Sequence, residues 1–338
     1  MGENSVFVAL ILLVLSGCGG SNTPEVVVYA ALDREFSEPI LDDFHRASGV
    51  RVLAKYDVES TKTVGLATAL LQERNRPRCD LFWNNEILHT LRLEQQGLLE
   101  CYHSPAEKDF PPGYVAADGA WRGFAARARV LIVNTERVPS DRRPNSILDL
   151  VDPQWRGQVG VAKPLFGTTA THAAVLCDRW GEERAKQFFT ELQQNAVVLA
   201  GNKPVAQAVG SGELAFGLTD TDDAILEVDA GRPVVIVYPD QGEGELGALR
   251  IPNTLCLIKN GPHPEAAKKL VDYLLQPAVE RRLAAGPSAQ FPVNPAVKET
   301  SRAAPGQSIR WMQVDFPAAA RQWETTAAFL QEIYTGVD

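Results

Sequence analysis

The sequence predicts an α/β fold with two domains, and three observations lead to this prediction. The chain has 338 residues, of which 45% are hydrophobic and 22% are charged, so it is globular and long enough for two cores. From residue 25 onward, short apolar runs end in polar turns, and amphipathic stretches follow them. Polar groups therefore collect at the carboxyl ends of strands, where open α/β sheets bind ligands.

The stretch LAFGLTDTDDAILE, residues 214–227, shows this arrangement most clearly. Its first five residues are apolar and predict a buried parallel strand, and a helix resumes after Asp223. Asp220, Thr221 and Asp222 lie between the two elements. These residues have two possible roles. They cap the helix, since Asp and Thr are favoured at that position and acids suit the positive end of the helix dipole. Alternatively, at least one of them faces a ligand.

The amino terminus predicts export. Residues 6–15 form an apolar core of secretory length that is too short to span a bilayer as a stable helix. Leu15-Ser16-Gly17-Cys18 follows and resembles the bacterial lipobox, which implies a signal peptide of residues 1–17, lipidation of Cys18 and a tether of residues 18–24. The first four residues lack the Lys or Arg of a usual signal. We expect an exported domain held at a bacterial membrane by its lipid.

Net charge and cysteine spacing argue against a nucleic-acid partner and against a zinc site. The formal net charge of −9 argues against nucleic acid, which needs a basic face. No spacing of cysteine and histidine indicates a zinc site. Cys177 and Cys256 lie in apolar runs and are predicted core residues, whereas Cys79 and Cys101 flank one helical segment and could pair.

Three pairs of a strand and a helix are predicted in the first hundred residues. The strands are 26–29, 51–55 and 79–83, and the helices are 37–47, 63–74 and 87–96. Asp33 lies in the first turn between strand and helix, and Asn85 and Glu86 follow the third strand. Asn85 and Glu86 are either ligand groups or a helix cap and a solvated acid.

Two further segments offer positive or hydrogen-donating groups. Arg127 and Arg129 lie just before the strand 130–134. Because alternate residues of extended chain point to the same side, the two arginines share one face, which is directed at a cleft or at solvent. Gly167, Thr168 and Thr169 precede a helix predicted to begin at residue 171. Free N–H groups, hydroxyls and a positive dipole end at a helix start predict an anion site, although this is not a Walker A loop.

The order of several segments resembles a known family. The segments are 26–29, 94–99, 130–135, 146–150, 153–157 and the helix 264–275. Residues 25–338 together resemble bacterial extracellular solute-binding proteins of ABC importers, in the ferric-iron-binding group of type II periplasmic binding proteins. The resemblance implies two α/β lobes, each a mixed sheet flanked by helices, with a ligand trapped between them on closure.

The resemblance also implies where the lobes divide. Lobe 1 would comprise residues 25–126 and 240–299, and lobe 2 residues 127–239 and 300–338. Two crossing strands would join them near 125–130 and 238–249.

The metal ligands of ferric-binding relatives are not kept. Where those relatives hold a histidine, a glutamate and a tyrosine pair, this chain has Asp33, Asn85 with Glu86 beside it, and Thr221-Asp222. The implied anion site agrees better and comprises Arg127, Gly167, Thr168, Thr169 and Asn202. Carboxylates suit hard cations in general, whereas the tyrosine phenolates of these relatives favour ferric iron in particular. Their absence from these positions weakens the case for ferric iron.

Three functions remain open at this stage. The first is capture of iron(III) or another metal with a synergistic anion, with Asp33, Glu86 and Asp222 as metal ligands. The second is binding of a phosphorylated, phosphonate, zwitterionic or cationic organic solute. The third is an exported hydrolase, although the chain has no Gly-x-Ser-x-Gly or His-Glu-x-x-His motif. Under the first two, the partners are an ABC permease and ATPase, the protein is a monomer, and no cofactor other than a bound metal is expected.

Overall fold

The computed structural model describes residues 23–57 and 63–335. The predicted signal peptide and Cys18 lie outside the described residues. The strands are β1 Glu25–Ala30, β2 Arg51–Tyr56, β3 Leu81–Asn84, β4 Leu99–Glu100, β5 Arg122–Asn134, β6 Val159–Ala162, β7 Val197–Leu199, β8 Phe216–Asp220, β9 Val234–Val237 and β10 Arg250–Ile258. The helices are α1 Arg34–Ser48, α2 Val64–Gln72, α3 Leu88–Gln95, α4 Gly167–Trp180, α5 Glu182–Asn195, α6 Asn202–Gly210, α7 Thr221–Asp229, α8 Pro264–Leu274, α9 Pro277–Ala285, α10 Phe316–Arg321 and α11 Trp323–Thr335.

Two mixed sheets share the long strand β5. In the first sheet β1 pairs parallel with β2 and β3, while β10 runs antiparallel to β3, β4 and β5. In the second, β5 runs antiparallel to β8 and β9, and β6 pairs parallel with β7 and β8. The prediction of two lobes, each a mixed sheet flanked by helices, is confirmed. All thirteen residues of β5 are buried, as expected of a strand covered on both faces.

Strand β5 changes partners at one point. Ala128 pairs with Arg250 of the first sheet, and the next residue, Arg129, pairs with Asp220 of the second. This position lies inside the range 125–130 predicted for the first crossing. The Arg129 N–H also donates to the Leu249 carbonyl at 2.8 Å, so the chain entering β10 runs beside β5 at the crossing.

The segment that enters β10 requires a glycine. Gly247 has φ +82°, and a Cβ there would lie 2.8 Å from the Arg310 carbonyl oxygen. Only glycine tolerates both this conformation and this close approach. The segment after residue 300 is thereby packed onto the second predicted crossing, 238–249, where the Tyr238 hydroxyl also donates to the Ala303 carbonyl at 2.6 Å.

Three helices begin earlier than the sequence predicts. Helices α4, α6 and α7 start at Gly167, Asn202 and Thr221 rather than at the expected positions 171, 205 and 224, because the polar residues before those positions form the first turns. Apolar periodicity marks where a helix starts to bury a face, whereas a first turn can be wholly polar. Strand β8 likewise continues to Asp220, two residues beyond its apolar run.

The carboxyl-terminal helices contact both halves of the molecule. Helix α10 packs against α3 and α4, and α11 packs against α4 and α5. Arg92 of α3 donates to Glu324 of α11 at 2.6 Å, and Tyr334 donates to the Phe189 carbonyl at 3.1 Å. The division of the lobes at 126/127, 239/240 and 299/300 stays a proposal.

The cysteines of the described residues are all free thiols. Cys79 is buried and lies 3.1 Å from the Leu81 carbonyl, whereas Cys101 is exposed, so the considered pairing of the two is not formed. Cys177 and Cys256 are buried, as predicted. Across residues 23–57 and 63–335 we find no helix with the length and apolar character needed to cross a bilayer.

Candidate functional site

The starts of α4, α6 and α7 converge on β5 in the gap between the lobes. Their first residues are Gly167, Asn202 and Thr221, each placed by a strand that ends just before it. Gly167 has φ +53°, the left-handed conformation that glycine adopts without strain. The three helix starts thus bring hydroxyl, amide and carboxylate groups to one place, as expected at the carboxyl ends of strands.

Arg129 and Asp220 form a buried ion pair at the centre of this gap. Arg129 Nη1 lies 2.8 Å from Asp220 Oδ1, and the two residues are 0% and 3% exposed. Thr168 Oγ1 donates to Asp220 Oδ2 at 2.5 Å, and Asn202 Nδ2 donates to the same oxygen at 3.0 Å. Asp220 Oδ1 therefore contacts Arg129, and Oδ2 accepts hydrogen bonds from two residues of the predicted anion site.

The same network holds the Arg129 guanidinium in place. Its Nη1 also donates to Asn202 Oδ1 at 2.9 Å and lies 3.3 Å from Thr168 Oγ1, while Nη2 lies 3.3 Å from Thr169 Oγ1. Buried charges are stable only when they are paired and hydrogen-bonded. Arg129 is paired with Asp220 and hydrogen-bonded by neutral side chains that the sequence analysis assigned to the binding of an external anion.

Arg127 lies on the same face of β5, two residues earlier. Its Nη2 donates to Asn253 Oδ1 at 3.0 Å, and its Nε lies 3.5 Å from Asp222 Oδ2. Burial by itself lowers the pKa of Arg127, but the surrounding carboxylates, Asp222 foremost, outweigh it and leave that pKa above its ordinary value. Arg127 is thus a buried cation facing carboxylates.

We call Asp33, Asp220, Asp222 and Asp223 the acidic cluster. Carboxylate oxygens of the last three lie within 4.8 Å of one another, and all three residues are buried. Asp33, half-buried at the start of α1, adds a negative charge that acts on Arg127 and on Lys203. Closely spaced carboxylate oxygens are the donor set that hard cations prefer.

A small cavity lies beside Asp220, between the two lobes. Asn85 lines it from lobe 1, and Thr168, Asn202 and Asp220 line it from lobe 2. Its volume is about 20 Å³, room for little more than one water molecule. Asn85 is itself held by a 2.5 Å hydrogen bond from Thr63. The lobes are therefore closed on each other in this structure.

Within the described part of the chain, a buried hydrogen bond and an exposed ion pair cross the gap. Thr171 Oγ1 of α4 donates to Glu86 Oε2 at 2.6 Å, and both residues are buried. At the rim, Lys203 Nζ lies 3.0 Å from Glu35 Oε1, with the two side chains 38% and 50% exposed. Because solvent screens exposed pairs, the buried Thr171 contact contributes more to closure than the rim pair does.

Glu86, a predicted metal ligand, is occupied by protein donors. It is 0% exposed, and it accepts the Leu88 and His89 N–H groups at the start of α3 together with Asn84 Nδ2 at 2.8 Å. Burial raises the pKa of Glu86, but the His89 ion pair and these hydrogen bonds outweigh it and lower that pKa overall. These contacts favour the helix-cap interpretation of Glu86.

Thr221, another predicted ligand residue, faces the backbone. Its hydroxyl accepts the Ala128 N–H at 3.1 Å and is fully buried, which fixes α7 to the crossing strand. Asp222, the next residue, instead faces Arg127. Within the pair Thr221-Asp222, only Asp222 is directed at the other charged groups.

Arg129, Thr171 and Asp223 are site residues that were not among the predicted ligand groups. The alternation along β5 had already put Arg129 on the face of Arg127, and that signal was sufficient to include it. Thr171 had no comparable signal, because its partner Glu86 is 85 residues away in the chain.

Most of the chain matches a known protein family. A family model for bacterial extracellular solute-binding proteins matches residues 87–318, more than half of the chain. The chain belongs to that family. It is 25% identical over 309 residues to the major ferric iron-binding protein of Neisseria meningitidis, with 89% of this chain and 91% of that one covered.

Two solved structures show the shared fold. Iron-bound HitA from Pseudomonas aeruginosa superposes with a TM-score of 0.80 at 21% identity, covering 92% of this chain and 99% of that one. AfuA from Actinobacillus pleuropneumoniae, with exogenous fructose-6-phosphate bound, superposes with a TM-score of 0.81 at 20% identity, covering 93% and 99%. The molecule is a two-lobed solute-binding protein of the kind that serves ABC importers.

Proposed function

We propose that this solute-binding protein captures a hard metal cation between its lobes, with iron(III) as the first candidate. The observation that carries the proposal is the buried group of Asp220, Asp222 and Asp223, whose oxygens lie within 4.8 Å of one another. Oxygen donors at this spacing suit a small, highly charged cation. The name of the meningococcal relative supports iron as the first candidate to test.

The donor set would differ from one based on tyrosine. Asp222 and Asp223, with Asp33 from lobe 1, would supply the first carboxylates to a cation, and Asp220 lies behind them against Arg129. Carboxylates do not give the strong visible absorption of an iron phenolate. We therefore expect the iron complex to lack an intense purple or red band.

The transport role supplies the partners and the compartment. Binding proteins of this family deliver their ligand to an ABC permease, and we propose the same for this chain, acting as a binding protein without catalysis. We also propose that lipid on Cys18 holds it at the outer face of a bacterial membrane.

A phosphorylated or zwitterionic organic solute is the second candidate. Arg127 and the start of α4 support it, and so does the shared fold with fructose-6-phosphate-bound AfuA. In that case the acidic cluster would bind an ammonium or hydroxyl group and the arginine side would bind an acid. Such a solute needs more room than about 20 Å³, so the lobes would close less tightly around it.

A thermal-shift screen distinguishes the candidates. Mature protein is heated with ferric citrate, citrate alone, divalent metals, phosphonates, sugar phosphates and polyamines. A ligand that binds only the folded state raises Tm by an amount set by its concentration and Kd. Iron(III) raising Tm while citrate alone does not supports the first candidate. A response to sugar phosphates or phosphonates alone supports the second, and no response to any compound overturns both.

A further inference from the structure

We propose that Asp220 is a resident anion: its carboxylate fills the anion pocket of lobe 2, so the cargo binds without an added anion. This inference rests on the proposed cleft and narrows its cargo to a cation that brings no acid group of its own. It replaces the expectation of a synergistic anion with a side chain of the protein.

The pocket is complete around the carboxylate. The groups that would bind an external anion are the Arg129 guanidinium, the Thr168 hydroxyl and the Asn202 amide. Each is within 3.0 Å of an Asp220 oxygen. Both oxygens are engaged, with Arg129 on Oδ1 and the other two groups on Oδ2. A carboxylate held in this way by charged and neutral donors has the contacts expected of a bound anion.

Size and charge both oppose a second anion. The cavity beside Asp220 has a volume of about 20 Å³ in this closed arrangement, room for about one water molecule, so a tetrahedral oxyanion would enter only if the lobes or the lining side chains moved apart. A phosphate or carbonate there would also lie against a buried carboxylate, and like charges in low dielectric repel strongly.

The charge balance within the acidic cluster favours a cation. Two guanidinium groups, Arg127 and Arg129, face its four carboxylates, and Lys203 at the rim is already paired with Glu35. These groups leave two negative charges of the cluster uncompensated, one of which Lys163 at the wall of the cavity can offset. A cation restores the balance on closure, whereas a phosphorylated solute increases the imbalance.

The test uses inorganic phosphate as the probe and needs no knowledge of the cargo. Phosphate is titrated at constant ionic strength into wild type, Asp220→Ala and Asp141→Ala, and Tm and binding heat are measured. Asp220→Ala opens the pocket and should bind phosphate at least tenfold more tightly than wild type does. Asp141→Ala removes the same charge from an exposed position outside the cleft, so it should behave like wild type.

Each outcome decides the matter. Wild type that binds phosphate as tightly as Asp220→Ala overturns the proposal, and so does an equal gain in Asp141→Ala. If Asp220→Ala folds only when phosphate is present, that rescue supports it. If that variant never folds, the wild-type titration still decides: phosphate binding in the cleft overturns the proposal, and no Tm increase beyond a chloride control supports it. Failure of every cation to bind would refute the proposed function and leave the phosphate result standing.

Discussion

Arg129 and Asp220 are register partners at the point where β5 leaves one sheet and joins the other, and their side chains form an ion pair of 2.8 Å. The crossing between the lobes and the predicted ligand pocket therefore share one buried pair. A change at either residue affects both the packing of the crossing and the charge of the cleft.

Removing Arg129 should destabilise the fold strongly. In Arg129→Met the buried Asp220 loses its cation, and breaking such a pair from one side costs about 3–5 kcal/mol. The double variant Arg129→Met/Asp220→Leu leaves no uncompensated charge and should be the more stable of the two. Urea unfolding of wild type, both single variants and the double variant measures this coupling. Equal losses in Arg129→Met and the double variant would contradict it.

Asp222→Asn should weaken iron(III) binding without unfolding the protein. The variant removes one negative charge from the acidic cluster, and a charge-assisted contact contributes about 1.5–3 kcal/mol. Calorimetry with iron(III) presented as citrate should show a Kd raised roughly tenfold to a hundredfold. Asp141→Asn, an exposed carboxylate outside the site, is the matched control. Wild-type affinity in Asp222→Asn would remove this residue from the proposed ligands.

Thr171→Val should shift the protein toward an open form. The variant deletes the buried hydrogen bond to Glu86 that joins the lobes, and such a bond to a charged group contributes about 1.5–3 kcal/mol. Small-angle scattering should report a larger radius of gyration than for wild type. Thr190→Val is the control, because the Thr190 hydroxyl bonds only within its own helix, to the Lys186 carbonyl. An unchanged radius for Thr171→Val would show that other contacts hold the lobes together.

His172 should make the protein less stable in acid. Burial, aided by the nearby charge of Arg129, lowers the pKa of His172 from 6.5 to about 3. Between these two values the unfolded chain binds a proton that the folded chain does not, so stability falls as pH drops below 6.5. The loss approaches about 1.4 kcal/mol for each pH unit. His172→Leu should flatten the curve of unfolding free energy against pH over this range, and an unchanged slope would refute the assignment.

Glu280 should stabilise the chain around the crossing strand. Its carboxylate accepts the N–H groups of Ala125 at 2.5 Å and Asn294 at 2.7 Å, and that of Val293 at 3.1 Å. Ala125 itself has φ +41°, which a non-glycine residue adopts only where its surroundings impose it. Glu280→Gln keeps one acceptor oxygen and should cost about 1–3 kcal/mol in urea unfolding. Glu299→Gln, on the surface, should change little.

Much of the fold was predictable because its strands carry a strong local signal. The runs at 26–29, 81–83 and 130–133 are apolar throughout, which is typical of strands covered on both faces. The starts of the helices were less predictable. The first turns of α4, α6 and α7 are polar, and their helical conformation depends on groups distant in the chain.

The location of the candidate site was predictable, but the hydrogen bonds between its side chains were not. The sequence indicates that Asp220 and Thr168 both follow strands, and hence that they lie at one edge. It does not indicate that the two side chains bond to each other, because 52 residues separate them and the contact depends on how the strands are ordered. For the same reason the sequence leaves open whether Glu86 faces a ligand, whereas in the structure its carboxylate accepts the N–H groups of Leu88 and His89 at the start of α3.

Strand β5 also constrains how this protein can lose its structure. Its first seven residues complete one sheet and its last residues begin the other, and α10 adds a second connection between the halves. Melting of either half would therefore remove strand partners and helix contacts from the core of the other. We expect the two lobes to unfold as one cooperative unit, with a single transition in urea.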